Sequence, residues 1–296
     1  MRQTSTAHPR PEAADRAEDR RPPDGNPAGA PIEFRRVSHN FIHGRRAVLV
    51  LEEFDLDIGA SEFVSIVGPS GCGKTTALSM AGGLERPRAG TVALDGKPVS
   101  GTSDDVAFMF ARDALLPWRR VRRNVELGLE VHKIPAAERK RRADEWLRRV
   151  RLEEFADSDV LHLSQGMRQR VAIARTLVQS PRVVLMDEPF AALDAQTRAN
   201  QQQEFIRLWE AERPTVVFVT HDLEEAILLS DRVVLMAARP GRIVADIKID
   251  LPRPRTQRMR TSSPEFAEYL ETLSARLRDE VTAAEERRQA DEEAST

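Results

Sequence analysis

Residues Gly68-Pro69-Ser70-Gly71-Cys72-Gly73-Lys74-Thr75-Thr76 fit the pattern G-x-x-x-x-G-K-[ST] from Gly68 through Thr75. No other stretch constrains the fold as much, because the pattern works only between a strand and a helix. Both neighbours are present. Glu62-Phe-Val-Ser-Ile-Val67 is a short apolar run that predicts a buried strand, and Thr75-Thr-Ala-Leu-Ser-Met-Ala81 predicts a helix. Glycines at 68, 71 and 73 let backbone N–H groups turn inward, and the helix N-terminus adds the positive end of its dipole. Such a loop cradles phosphate oxygens. Lys74 would reach the β- and γ-phosphates, and the Thr75 hydroxyl would bind Mg²⁺. An ordinary glycine-rich turn does not explain strand, loop, Lys-Thr and helix together, so the chain is expected to bind ATP or GTP.

A chain of 296 residues holds one large α/β domain with appendages or two modest ones. Its 45 basic and 47 acidic residues leave a net charge of −2, so no global field recruits nucleic acid or anionic lipid. The single cysteine, Cys72, rules out an internal disulfide framework and suits a reducing compartment. It is read as a small residue of the loop. No apolar run approaches the ~18 residues of a membrane-spanning helix, and residues 1 to 31 lack the apolar stretch of a signal peptide.

Composition divides the chain into three. Met1 to Pro31 carries six prolines, many charges and almost no large apolar side chains, and is expected to be a disordered tail. From Ile32 to Leu251, apolar runs alternate with helical patterns, which predicts a sheet covered by helices. Val106–Phe110, Val183–Met186, Val216–Val219 and Val233–Met236 read as strands, and Val92-Ala-Leu94 runs into an Asp95-Gly96 turn. Val121 to Val150 reads as helical; its basic run Arg139-Lys-Arg-Arg142 is interleaved with Glu138, Asp144 and Glu145, as on a solvated helix face. Residues 252–296 form a helical extension. Ser263-Pro264 supplies an N-cap and first helical position, and Phe266, Leu270, Leu273, Leu277 and Val281 recur at helical spacing. That stripe either docks on the body or binds a partner.

Val183-Val-Leu-Met-Asp-Glu-Pro189 is an apolar strand that delivers two carboxylates at its end. Beside a phosphate loop, Asp187 can hold the Mg²⁺ shell and Glu188 can deprotonate the water that attacks the γ-phosphate. Thr220-His221-Asp222 follows the strand Thr215–Val219, where His221 can donate to a phosphate oxygen.

Leu163-Ser-Gln-Gly-Met-Arg-Gln-Arg-Val-Ala-Ile-Ala-Arg175 resembles the signature motif of ATP-binding cassette (ABC) ATPases and the helix that follows it. Ala191-Ala-Leu-Asp194 resembles that family's D-loop, His221 its switch histidine and Phe41 its adenine-stacking aromatic. The motifs occur in the family's order over about residues 32 to 250, roughly three quarters of the chain. Leu115-Leu-Pro-Trp-Arg119 is similar to a segment of the nitrate/sulfonate/taurine importer branch. Pro117 stops Ala114–Trp118 from continuing a helix, so this apolar run must pack, between lobes or against a membrane partner.

The resemblance implies a P-loop NTPase (RecA-like) α/β core sheet covered by helices, an antiparallel β subdomain and a helical subdomain inserted at about 112–180. It implies an ATP-hydrolysing importer subunit, peripheral on the cytoplasmic face of the inner membrane, serving two multi-span permease subunits and, indirectly, a solute-binding protein, with no nucleic acid. It also implies a cassette dimer closed head to tail. ATP would then be held by Gly68 to Thr76, Lys74, Thr75 and Phe41 of one chain and by Ser164, Gly166 and Asp194 of the dimer interface, with Glu188, His221 and Lys74 catalytic and Mg²⁺ on Thr75 and Asp187. Ser164 can cap the helix after it and aim that helix's first amides at the γ-phosphate.

Two positions depart from the family pattern. Gln165 replaces a glycine of the signature, where it crowds the phosphate or adds a contact. Ala111 stands where the family has the glutamine that touches Mg²⁺ and senses the permease; Asp113, two residues on, is the nearest carboxylate expected to substitute. Two other readings compete with the importer. A cassette ATPase of DNA repair or translation is opposed by the near-zero charge and the lack of cysteine pairs or a long coiled-coil insertion. A weakly hydrolysing regulatory cassette is opposed by the presence of Glu188 and His221.

Overall fold

The computed structural model describes residues 29–44, 46–111, 113–237 and 240–294. The tail expected over residues 1–31 lies outside the described residues up to position 28. Its last residues belong to the body instead: Ala30 is fully buried, and the Gly29 N–H donates to Ser61 Oγ at 3.1 Å. A β-carbon on Gly29 would stand 2.3 Å from the Ser61 nitrogen, so the close approach needs glycine.

Strands β1 (Ile32–His43) and β2 (Arg46–Ile58) open the described chain, followed by β3 (Phe63–Val67) and helix α1 (Lys74–Ala81). Then come β4 (Ala89–Leu94), β5 (Lys97–Pro98) and β6 (Val106–Met109). Helices α2 (Val121–Val125), α3 (Leu127–Val131), α4 (Ala136–Arg149) and α5 (Gln165–Leu177) separate β6 from β7 (Val183–Asp187). The rest is α6 (Ala195–Glu212), β8 (Thr215–Thr220), α7 (Leu223–Leu229), β9 (Arg232–Met236), β10 (Ile243–Lys248), α8 (Met259–Ser262) and α9 (Pro264–Ala294). The helical reading of 121–150 is interrupted. Pro135 disfavours α geometry at Ile134, and the chain passes through a left-handed Lys133 before α4 begins.

Two sheets form. An antiparallel sheet runs β2-β1-β4-β5, and a mainly parallel one runs β10-β9-β3-β8-β7-β6, with only β10 antiparallel to its neighbour. Strands β3 and β8 are buried along their whole length, as Val/Ile-rich strands covered on both faces must be. Under the antiparallel sheet, Phe34 and Phe54 meet edge to face at 5.3 Å and pack with Ile66 and Leu78. The inserted helices bury Val121, Trp146, Leu147 and Ala172 against Met109 and Met186.

The C-terminal stripe docks on the body. Phe266 and Leu273 are fully buried with Leu228 and Leu235, and Leu270 and Leu277 pack beside them, while the Val281 side chain lies outside the described residues. Ser263 Oγ accepts from the Phe266 N–H at 3.2 Å, the expected cap of α9. Arg255 holds the preceding turn. Its buried guanidinium donates to the carbonyls of Ile227, Ser230, Ile249 and Leu251, and burial pushes its pKa down to about 10. No helix among the described residues is long and apolar enough to cross a membrane.

Candidate functional site

In the parallel sheet β3, β8 and β7 are neighbours, and their register aligns their C-terminal ends. Val67 stands opposite Thr220, and Asp187 opposite Val219. The next residues on each chain, Gly68, His221 and Glu188, therefore emerge along one edge, the side where open α/β sheets bind ligands.

The loop after β3 follows the geometry that its glycines allow. Gly71 and Gly73 have positive φ, and a β-carbon on Gly68 would stand 2.5 Å from the Met236 carbonyl oxygen. Gly73 occupies the N-cap of α1 without a side-chain cap, leaving that helix's first amides to the loop's interior. Lys74 is buried; its Nζ donates to the carbonyls of Gly68 at 2.7 Å and Pro69 at 3.0 Å, and lies 3.7 Å from Cys72 Sγ. Burial pushes the Cys72 thiol up, and Lys74 pulls it partly back. The β1–β2 hairpin leans on this loop through Val50 and Leu51, whose side chains would touch a β-carbon on Gly73. It carries Phe41, paired with Val48 and about half exposed, with the buried His39 ring set edge-on at 4.7 Å.

Thr75 Oγ1 donates to Asp187 Oδ1 at 3.2 Å. Burial raises the Asp187 carboxyl, the neighbouring Glu188 adds to this, and Thr75 and Lys74 oppose it. His221 Nδ1 lies 3.1 Å from Glu188 Oε2, so the two side chains meet each other. Lys74, Thr75, Asp187, Glu188 and His221 thus form one cluster around the phosphate loop.

Ser164, Gly166 and Asp194 form a second cluster. Ser164 Oγ accepts from the Met167 N–H at 3.3 Å and caps α5 as expected. Gly166 faces α6, and a β-carbon there would stand 2.8 Å from Thr197 Cγ2. The Asp194 carboxylate caps α6 through the Thr197 N–H at 3.0 Å, which holds it below the usual carboxylate range. Gln165 Nε2 donates to the Ala192 carbonyl at 2.7 Å. Gln169 donates likewise to Pro189 at 2.6 Å. Two glutamines of α5 therefore tie the signature helix to the turn that follows Glu188.

Asp113 does not reach toward the Thr75–Asp187 pair. Its carboxylate accepts from Arg168 Nε at 3.0 Å, because α5 packs directly on the exit of β6. Arg175 donates to the carbonyls of Asp113 and Ala114, both at 2.7 Å. These arginines were legible only as a spacing: positions 168 and 175 lie seven apart, on one helix face. A buried chain, Thr220 and Gln202 donating to Glu225, was not visible in sequence at all.

Residues 51–191 match the family model described as ABC transporter. Over 250 residues the chain is 50% identical to an uncharacterized ABC transporter ATP-binding protein of Methanocaldococcus jannaschii, covering 84% of this chain and 92% of that one. It is 38% identical over 260 residues to the taurine import ATP-binding protein TauB of Pseudomonas putida, covering 86% and 98%. A dimeric ATP-binding cassette solved in a post-hydrolysis state with ADP and Pi is 33% identical, with a TM-score of 0.65 over 75% of this chain and all of that one.

Proposed function

The chain belongs to the ABC transporter ATP-binding family, and we propose on that premise that it binds and hydrolyses ATP to drive an importer of the nitrate/sulfonate/taurine type. The observation that carries this reading is the convergence of Lys74, the Thr75–Asp187 pair and the Glu188–His221 pair at the aligned ends of β3, β7 and β8.

Lys74 exchanges its bonds to the Gly68 and Pro69 carbonyls for bonds to β- and γ-phosphate oxygens, and the loop amides and α1 N-terminus take the remaining charge. Phe41 stacks on the adenine. Thr75 Oγ1 and Asp187 Oδ1 are the hard oxygen donors that suit Mg²⁺, which would neutralise phosphate charge when bound. Glu188 takes a proton from the attacking water, and His221, already at its carboxylate, orients it and donates to the γ-phosphate. Ser164 and Gly166 of a second copy close over the same nucleotide, with Asp194 fixing the start of α6 at that interface.

The membrane partners are two multi-span permease subunits fed by a solute-binding protein, and the chain sits peripherally on their cytoplasmic side. The segment Ala114–Trp118 meets them, consistent with Trp118 being 77% exposed on an apolar turn. A role on nucleic acid is not favoured.

The test is Mg²⁺-dependent phosphate release by the purified chain, alone and co-purified with its permease in lipid. Hydrolysis stimulated by the permease and abolished by Lys74→Ala is expected. Stimulation by nucleic acid and not by the membrane partner would overturn the reading.

A further inference from the structure

The family's glutamine is missing at Ala111, whose methyl group has nothing to offer a nucleotide, yet the segment after it is held firmly. Five hydrogen bonds fix residues 113–116 to neighbouring helices: Arg168 to the Asp113 carboxylate, Arg175 to the carbonyls of Asp113 and Ala114, the Leu116 N–H to Asn124 Oδ1 at 2.7 Å, and Asn124 Nδ2 to the Leu116 carbonyl at 3.1 Å. Ala114 is left-handed, with φ 46°, a conformation that a non-glycine residue keeps only where its surroundings impose it. The segment is therefore tied directly to α5 through Arg168 and Arg175.

The guanidinium of Arg168 has a second partner. While Nε holds Asp113, its other arm donates to the Leu163 carbonyl at 2.8 Å. Leu163 directly precedes Ser164, the cap of α5. One planar cation thus spans from the exit of β6 to the loop that presents the signature serine. Arginine is suited to this because its donors form a rigid fork; a lysine ammonium at the same place is a single point.

We infer that Asp113 is a positioning residue for Ser164: through Arg168 it fixes the Leu163–Ser164 loop, so that the segment exposed to the membrane partner communicates with the partner cassette's nucleotide and not with the nucleotide of its own chain. This rests on the dimeric reading given under Proposed function. Trp118 and Leu116 lie on the same segment as Asp113, so a displacement at the permease contact moves the carboxylate, the guanidinium and the Leu163 carbonyl together. No glutamine amide is needed.

The inference separates two equilibria. A nucleotide binding to one chain alone meets Lys74 and Thr75, which the Asp113–Arg168–Leu163 link does not touch. Closure of two chains over ATP needs Ser164 in place. Asp113→Asn keeps an acceptor near Arg168 and removes the charge, and Arg168→Gln removes both arms of the fork. Each is made in full-length chain carrying Glu188→Gln, which holds the closed dimer for measurement. The readouts are affinity for a fluorescent ATP analogue under dilute conditions and ATP-dependent dimerisation by light scattering.

Asp113→Asn and Arg168→Gln are each expected to weaken dimerisation about tenfold, which corresponds to about 1.4 kcal/mol, with nucleotide affinity of the single chain within twofold of the parent. Asp113→Glu, which restores the charge, is expected to recover dimerisation. Thermal unfolding is followed in parallel. Loss of thermal stability with an unchanged dimerisation constant would overturn the inference by making the link merely structural. Equal loss of nucleotide affinity in the single chain would overturn it by placing Asp113 at its own site. A parent chain that binds nucleotide and never dimerises would instead overturn the dimeric reading beneath it.

Discussion

His221 Nδ1 and Glu188 Oε2 stand 3.1 Å apart at the ends of two adjacent parallel strands, β8 and β7. The contact is set by the backbone on both sides. Glu188 is left-handed, with φ 44°, and its N–H donates to the Val219 carbonyl at 2.9 Å, so the carboxylate leaves the strand toward β8 instead of continuing along β7. Asp187, one residue earlier, stays on the strand and turns to Thr75. Consecutive acids are thus sent to different partners by one backbone bend.

Glu188→Gln keeps this shape and removes the basic oxygen. ATP hydrolysis is expected to fall roughly 10²–10⁴-fold, the range for a lost general base, with nucleotide affinity retained. Single-turnover phosphate release beside equilibrium binding checks it, and wild-type turnover in the variant would move the base elsewhere.

The strands, the phosphate loop and the acid pair were legible because each is local: an apolar run, a glycine pattern, two acids at a strand end. The Asp95-Gly96 turn is of the same kind, with φ of 52° and 70° as a two-residue hairpin turn requires. What was not legible depends on packing between distant segments. Sequence distance to Ala111 makes Asp113 the nearest substitute for the missing glutamine, yet α5 reaches it first from 55 residues away. The signature motif places Gln165 at the cassette interface, and packing adds a partner that the motif does not show: its amide donates to the Ala192 carbonyl in the turn after β7. The burial of Ala30 is hidden by a proline-rich composition that says nothing about a single alanine fitting beside Arg182, whose carbonyl accepts from the Ala30 N–H at 3.4 Å.

Glu225 gives a pH dependence. Its carboxyl is raised chiefly by burial and further by Asp222, while Thr220, Gln202 and Arg198 oppose the shift. A carboxyl raised on folding favours the neutral form, so its contribution is fully present below the ordinary glutamate range and is lost as pH rises through the folded value. Glu225→Gln mimics the neutral acid: its amide can donate to Thr220 Oγ1 while its carbonyl accepts from Gln202. The parent's urea midpoint is expected to fall from mildly acidic to neutral pH, and that of the variant to stay flatter. Parallel profiles would show that Glu225 does not set the slope.

Arg255 fastens the C-terminal extension. Arg255→Ala removes donors from the carbonyls of Ile227, Ser230, Ile249 and Leu251 inside the body. Hydrogen bonds to charged groups contribute about 1.5–3 kcal/mol each and do not add fully, so a loss of about 3 kcal/mol is expected. Because Arg253 stacks on Trp209 at 4.6 Å and Gln257 bonds Gln202 at 2.8 Å from the same turn, the segment should loosen as a unit. Limited proteolysis is expected to cut first between residues 250 and 263, with the cassette left intact. An unchanged digestion pattern would assign the docking to Phe266 and Leu273 alone.

Gly166 carries two demands that one pair of variants separates. Within the chain it lets α5 approach α6, since a β-carbon there would stand 2.8 Å from Thr197 Cγ2, a methyl on a stiff β-branched side chain. On the dimeric reading proposed above, it also lets the backbone near the partner's phosphate. Gly166→Ala is therefore expected to destabilise the fold by about 1–3 kcal/mol through overpacking and to depress hydrolysis. Thr197→Ser deletes the methyl group and leaves the backbone N–H that Asp194 caps. In Gly166→Ala/Thr197→Ser the stability loss should be largely recovered, as residues in contact are non-additive. On the dimeric reading hydrolysis should stay depressed, because the added methyl at 166 would still face the partner. Urea unfolding and steady-state phosphate release on the three variants decide the matter: recovery of both would reduce Gly166 to a packing role, and recovery of neither would mean that the helices relax in some way other than through Thr197.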